Sequence, residues 1–373
     1  MKKIFLLGST GSIGQSSIDV VNDYPHLLKI VGLSANSNDK KLSELGYKLD
    51  VNNLVLTGKD NSEYSNISSF GMLELLEAIK NSDADIVING IAGSSGLLPS
   101  IATIESGKDL ALANKETMVM AGPLINKLAR EHNIKLLPVD SEHSAIFHLL
   151  ENRKIEDVEE IILTASGGAF RDLPIEKLKE VTLQDALKHP TWSMGNKITI
   201  DSASMANKGL EVIEAAMLFN LDIDKIKVLI HPQSYVHSLI RVKDCSMYAQ
   251  ISAPDMKLPI QNAILYPELE RVESTYLDLV GKNLSFTLPD LEKYQMLDLA
   301  YLALKKGNAY TIAYNACNEV LVDAFVNREI SFLQIPYYTK IILESNIKIE
   351  PQNLNNILEI DKLVRSKTKT LIG

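Results

Sequence analysis

Ile4-Phe5-Leu6-Leu7-Gly8-Ser9-Thr10-Gly11-Ser12-Ile13-Gly14 is the stretch that decides the fold. Its four consecutive apolar residues read as a strand covered on both faces. Three glycines spaced GxxGxxG follow, and Gln15 to Val21 reads as a helix. Strand, glycine-rich turn and helix in that order is a setting in which backbone N–H groups and a helix N-terminus take up the pyrophosphate of a dinucleotide. A glycine turn also serves any strand-to-helix link that needs φ > 0. Its place directly after a clean strand favours nucleotide binding.

Further strands run outward from this start. Ile30 to Leu33 ends at Ser34-Ala35-Asn36-Ser37-Asn38, where an NAD-binding chain would put a carboxylate on the ribose 2′-hydroxyl. None stands there to repel a 2′-phosphate, so NADP fits better than NAD. Asp85 to Asn89 runs into Gly90-Ile91-Ala92-Gly93, and Leu110 to Ala113 ends at Asn114-Lys115-Glu116. Asn114-Lys115-Glu116 reads either as a helix cap with a solvated lysine or as a lysine meeting a substrate oxygen. Ile134 to Val139 ends at Asp140-Ser141-Glu142-His143-Ser144. On extended backbone, Asp140 and Glu142 would point the same way. Carboxylates held that close suit a hard divalent cation such as Mg²⁺ or Mn²⁺. The alternative is that Asp140 and Ser141 cap a helix beginning near Ser144.

Composition bounds the rest. The chain has 373 residues, 46% hydrophobic and 23% charged, enough for two or three domains. A net charge of −9 argues against nucleic acid or an anionic membrane as partner. Two cysteines far apart, Cys245 and Cys317, imply no disulfide framework and a reducing compartment. The opening apolar run is too short for a signal peptide, and no stretch is long and apolar enough to span a bilayer. The expected location is the cytoplasm.

Beyond residue 150 the pattern changes. Ile161 to Ala165 is a strand closed by Ser166-Gly167-Gly168, a backbone suited to phosphate. Lys188 to Gly195 lacks periodicity and holds the single tryptophan, Trp192; a lone tryptophan is usually a core residue, but flanked by proline and glycine it reads better as part of a lid over a ligand. Asp201-Ser202-Ala203-Ser204 reads as the cap of a helix that presents Asn207, Lys208 and Glu211 on one face. Val228 to Ile230, Tyr235 to Val242 and Ser246 to Ile251 read as antiparallel strands, a sheet able to offer a dimer face. From Leu291 the periodicity is helical, with Leu297, Ala300, Tyr301 and Leu304 on one face and a second run from Thr311 to Phe325.

Taken in order, Gly8 to Gly14, Asn114-Lys115-Glu116, Asp140 to Ser144, Thr164 to Gly168, His189 to Gly195 and Asn207-Lys208-Gly209-Leu210-Glu211, with Asn315 to Glu319 beyond, closely resemble the 1-deoxy-D-xylulose 5-phosphate reductoisomerase family. The resemblance implies an N-terminal Rossmann-like NADP-binding domain (1–149), a central α+β catalytic domain with a dimerisation sheet (150–290) and a C-terminal helical bundle (291–373), in a homodimer. It implies that Asp140, Glu142 and Glu211 hold a divalent metal, Mn²⁺, Mg²⁺ or Co²⁺, and that Ser166, Ser202, Asn207 and Lys208 hold the substrate phosphate. Lys115, Ser141 and His189 would contact the reacting carbon skeleton, with Lys115, Glu142 and His189 as catalytic groups. Trp192 and Met194 would meet substrate from the closing loop. Gly8, Thr10, Gly11, Ser12, Ile13, Ala35, Asn36, Asn38, Asn114, Glu116 and Gly195 would contact NADPH. The implied reaction turns 1-deoxy-D-xylulose 5-phosphate into 2-C-methyl-D-erythritol 4-phosphate by a retro-aldol and aldol course followed by hydride transfer. The chain departs from the family at Asn36 and Ser37, where glycine and a basic residue are common. A plain NADP-dependent dehydrogenase and a dinucleotide-sensing regulator remain as rivals, but neither needs a three-carboxylate site.

Overall fold

The computed structural model describes residues 1–190, 195–271 and 276–373. Strand β1 (Lys2–Leu7) leads into helix α1 (Ser12–Asp23), then β2 (Leu28–Ala35), α2 (Asp39–Leu49), β3 (Leu54–Leu56), β4 (Ser69–Phe70) and α3 (Met72–Asn81). Next come β5 (Ile86–Asn89), α4 (Leu97–Glu105), β6 (Asp109–Leu112), α5 (Lys115–Glu131), β7 (Leu136–Pro138) and α6 (Ser141–Leu150). The second half runs β8 (Val158–Ala165), α7 (Leu183–Ala186), α8 (Asn196–Ala203), α9 (Ala206–Phe219), β9 (Ile226–Ile230), β10 (Val236–Val242), β11 (Met247–Ile251) and α10 (Lys257–Leu265). It ends with α11 (Gln295–Lys306), α12 (Asn308–Val326), α13 (Gln334–Glu344) and α14 (Leu354–Ile372).

The chain divides into two compact units. The first comprises Met1–Thr117, Ile125–Ser144 and the stretch opening at Asp255 that carries α10. Among the described residues its sheet has seven strands, all parallel, in the order β4-β3-β2-β1-β5-β6-β7. Ile4, Phe5, Leu6 and Leu7 are fully buried, as an unbroken apolar run requires in a sheet covered on both faces. Strand order reverses between β1 and β5, and such a switch point is where an open α/β sheet forms its ligand crevice. Helix α10 is tied to this unit by Lys257 to Asp23 at 3.5 Å and by Lys2 Nζ donating to the Tyr266 carbonyl.

The second unit comprises Met118–Leu124, Ala145–Pro254 and the C-terminal stretch through Gly373. Its sheet, order β11-β10-β8-β9 among the described residues, is mixed. β10 pairs antiparallel with β8 and β11, whereas β9 pairs parallel with β8. The expectation of an antiparallel set from Val228 to Ile251 is corrected here: alternation marks β9 as a strand but says nothing of its neighbour. Ile146, Leu163, Val212, Ile240 and Leu297 share one core, with Tyr301 and Leu304 against it. The helices α11 to α14 follow, and Gly209 on α9 is required by their closeness: a Cβ there would lie 2.6 Å from the Tyr314 hydroxyl. Helix α5 kinks at Ala121 ahead of Pro123. Pro123 has no N–H for the Val119 carbonyl, which accepts from the Thr311 hydroxyl at 2.8 Å instead.

Candidate active site

In the first unit the turn after β1 brings backbone close to backbone. Gly8 has φ +73°, and a Cβ on it would sit 2.7 Å from the Gly90 carbonyl oxygen across the switch point. Ser9 N and Oγ both donate to the Ser34 carbonyl, which fixes the turn against β2. Helix α1 starts behind Gly11, which brings no side chain to its N–H groups, and its first turn carries no acid. Thr10 and Ile13 are half-buried beside exposed Gly11 and Ser12. A helix start without a capping side chain or an acid is an arrangement suited to an anion.

Two strands further along, Asn114 caps α5. Its amide donates to the carbonyls of Ile91 (2.7 Å) and Gly93 (2.8 Å) and to Glu116 (3.0 Å), while its oxygen accepts from Thr117 N. The side chain thus ties the β5 turn to α5. Lys115 follows, nearly buried, with Nζ 2.5 Å from Asp140 Oδ2. β6 and β7 are neighbours in the sheet, which brings the residues after each strand together.

Helix α6 begins at Ser141, with Ser144 N donating to the Asp140 carbonyl. The extended backbone expected for Asp140 to Glu142 is therefore replaced by a helix start. Asp140 and Ser141 both favour that role, and Glu142 falls in the first turn, where the helix dipole favours an acid. Ser141 Oγ donates to Glu142 at 2.6 Å. The end of β7 so presents two half-buried carboxylates, a hydroxyl and an ammonium.

In the second unit, Ser166-Gly167-Gly168 closes β8 with φ +87° and +66° at the two glycines. A Cβ on Gly168 would lie 2.8 Å from the Ser202 carbonyl carbon, so the turn packs directly on α8. His189 Nε2 lies 3.1 Å from both Ser166 Oγ and Ser202 Oγ. Burial, and then the Arg171 charge, hold the His189 imidazole below its ordinary pKa. Nε2 of a neutral ring has a single lone pair or a single N–H, so it makes a full hydrogen bond with one of the two hydroxyls at a time. α8 contains Asp201, Ser202 and Ala203, so these do not cap α9 as expected, but Ser204 Oγ accepts from Ala206 N, the first residue of α9, at 3.2 Å. Met205, in a left-handed conformation, links α8 to α9 instead. Asp201 is buried between Lys197 (2.8 Å) and the Asn318 amide (2.8 Å). On α9 the buried Glu211 accepts from both Asn207 and Lys208, the same-face grouping read from the spacing.

Similarity to known proteins follows these features along the whole chain. The model of the 1-deoxy-D-xylulose 5-phosphate reductoisomerase family matches residues 4–122, the model of its C-terminal domain residues 136–219, and a DXP reductoisomerase C-terminal domain residues 251–367. A 1-deoxy-D-xylulose 5-phosphate reductoisomerase of Crocosphaera subtropica is 46% identical, over 98% of this chain and 95% of its own length. The chain belongs to the 1-deoxy-D-xylulose 5-phosphate reductoisomerase family. A second reductoisomerase, of Rippkaea orientalis, is 44% identical over 98% of this chain and 96% of its own. Among solved structures, a DOX-P reductoisomerase in complex with NADPH, fosmidomycin and magnesium superposes with TM-score 0.95 at 36% identity, covering 100% of this chain and 98% of that one. The enzyme of Zymomonas mobilis in complex with NADPH gives 0.90 at 36% identity, covering 100% and 99%.

Within this family fold, Ala35 is buried at the end of β2, and Asn36 and Asn38 are exposed after it, Asn38 capping α2. Gly195 stands at the N-terminus of α8. Trp192 and Met194, expected on the closing loop, lie outside the described residues. Phe170, Leu178 and Ala186 are buried, with Phe170 edge-on to Phe332, so the preceding segment from 170 to 186 is anchored at three points. Sequence reading passed over Arg171, whose guanidinium donates to the Ser166 carbonyl at 3.0 Å. A basic residue closely following a phosphate-suited glycine turn was the available signal.

Proposed function

We propose that the chain catalyses the NADPH-dependent, divalent-metal-dependent rearrangement and reduction of 1-deoxy-D-xylulose 5-phosphate to 2-C-methyl-D-erythritol 4-phosphate. The observation that carries this reading is similarity at 46% identity across 98% of the chain to an enzyme of that name.

Asp140, Glu142 and Glu211 are the proposed metal ligands. Three carboxylates form a donor set that fits a hard divalent cation, Mg²⁺, Mn²⁺ or Co²⁺. The metal, when bound, supplies Lewis acidity toward the ketone and neighbouring hydroxyl oxygens of the substrate. Lys115 keeps a proton at Nζ and thereby a positive charge where the substrate oxygens become more negative. Ser166, Ser202, Asn207 and Lys208 hold the phosphate, and His189, whose Nε2 lies 3.1 Å from both serine hydroxyls, meets the carbon skeleton beside it as a catalytic group. Ser141 and Glu142 meet the carbon skeleton. The glycine turn after β1, with Asn114, Glu116 and Gly195, positions NADPH, which supplies the hydride. Trp192 and Met194 exclude water during the rearrangement.

Residues 1–149, 150–290 and 291–373 are the proposed functional divisions: cofactor binding, catalysis with dimerisation, and a helical part. A homodimer through β11 is supported by that strand's edge position and by Met247, Tyr248 and Ile251, each at least 40% exposed. A cytoplasmic location is supported by two free cysteines, and no helix of the described residues is long and apolar enough to cross a membrane.

The test is NADPH consumption with 1-deoxy-D-xylulose 5-phosphate before and after chelation of divalent metal. Turnover that chelation abolishes and Mn²⁺ or Mg²⁺ restores supports the proposal. Absence of turnover with this sugar phosphate in the presence of metal contradicts it.

A further inference from the structure

The turn after β2 lacks a cation of its own, since Asn36, Ser37 and Asn38 are uncharged. The next residue, Asp39 at the start of α2, is a carboxylate close to where an adenosine 2′-phosphate would approach. Left alone it would repel that phosphate. The structure shows it engaged: Oδ1 accepts from Lys59 Nζ (2.9 Å) and Lys40 N (3.0 Å), and Oδ2 accepts from Ser62 Oγ (3.2 Å).

Lys59 reaches this turn because the chain leaving β3 runs beside it. Thr57 N donates to the Ala35 carbonyl at 2.9 Å and Gly58 N to the Asn36 carbonyl at 2.7 Å. Gly58 is needed for this approach, as a Cβ there would lie 2.9 Å from the Asn36 carbonyl oxygen. Lys41, in the first turn of α2, donates from Nζ to the Thr10 carbonyl of the glycine turn at 3.1 Å. Two ammonium groups are therefore held by residues next to the β2 turn and the glycine turn, one by Asp39 and one by Thr10. The Lys59 side chain keeps 41% of its surface exposed, so an incoming anion can reach it.

We propose that Lys59, delivered from the end of β3 and held at the β2 turn by Asp39, reads the 2′-phosphate of NADPH in this chain, with Lys41 as the second cation. The proposal rests on the NADPH reading above. On binding, Lys59 Nζ donates to a phosphate oxygen, and Asp39 keeps Ser62 and the Lys40 N–H. The assignment gives the charge missing from Asn36 and Ser37 a source 20 residues downstream of the carboxylate that anchors it.

The test is equilibrium binding, read by nicotinamide fluorescence for NADPH and NADH and by competition for 2′,5′-ADP and 5′-AMP. A hydrogen bond to a charged group contributes roughly tenfold or more in affinity. Lys59→Met is therefore expected to weaken NADPH and 2′,5′-ADP by about tenfold or more, with NADH and 5′-AMP within about twofold of the parent. Lys59→Arg, which keeps the charge, should retain most of the discrimination. Equal weakening of NADPH and NADH by Lys59→Met would mark a merely structural lysine, and no change in either would overturn the assignment outright. A parent protein that binds NADPH and NADH equally would refute the cofactor reading itself, a different outcome from a discriminating parent with an indifferent Lys59→Met variant.

Discussion

Lys115 Nζ stands 2.5 Å from Asp140 Oδ2, and the two side chains are only 7% and 12% exposed. In an ion pair so far removed from water each charge depends on the other, since removing one partner leaves the other desolvated and uncompensated. Lys115→Met should lower kcat on the order of 100-fold or more, the range seen when a donor aimed at developing charge is removed. NADPH binding should stay within about twofold of the parent. Steady-state kinetics beside a fluorescence titration measure both, and a variant with near-parent kcat would remove Lys115 from the catalytic groups.

Glu211→Gln should abolish metal-dependent turnover while sparing NADPH binding. Glu211 is 1% exposed and lies in the second unit, whereas the glycine turn lies in the first. The measurement is Mn²⁺ affinity by calorimetry together with NADPH affinity by fluorescence. Undiminished activity at low Mg²⁺ would show that Glu211 is not a metal ligand.

Gly168→Ala places a Cβ 2.8 Å from the Ser202 carbonyl carbon at φ +66°, a backbone region that costs roughly 1–3 kcal/mol for a residue other than glycine. Ser202 must move, and with it the hydroxyl that meets His189. KM for the sugar phosphate is expected to rise about tenfold with the NADPH dissociation constant unchanged. An unchanged KM would separate the Ser166 turn from phosphate binding.

His237 gives a pH-dependent stability of known sign. Burial pushes its pKa down from 6.5 to about 4, so the folded chain favours the neutral ring while the unfolded chain protonates near 6.5. Its contribution is fully present above pH 6.5 and is lost as pH falls toward 4. The loss is on the order of 3 kcal/mol. Urea unfolding of the parent against His237→Gln across this window should show the variant with the flatter profile. Parallel profiles would count against a neutral buried ring.

How much of this was legible in the sequence depended on how local each signal was. Ile4 to Leu7 and the glycines after them specify strand and turn within a dozen residues, and the structure places them at the switch point. The same holds for Asn207, Lys208 and Glu211, whose helical spacing alone sets their shared face. Helix α8 was hidden because Ile198, Thr199 and Ile200 are β-branched and weakly helical by propensity. Its Asp201 is held by Asn318, 117 residues away, a tie that no window reveals. β9 likewise showed itself as a strand without showing that it pairs in parallel with β8. Lys59 went unread for the same reason: its partner Asp39 belongs to a different β-α connection.

Product identity tests the central claim most directly, because reduction alone would also follow from a plain dehydrogenase. The chain, supplied with NADPH, a divalent metal and 1-deoxy-D-xylulose 5-phosphate, should yield 2-C-methyl-D-erythritol 4-phosphate, recognised by the branched carbon skeleton in the NMR spectrum. A straight-chain reduced sugar phosphate in its place would contradict the account.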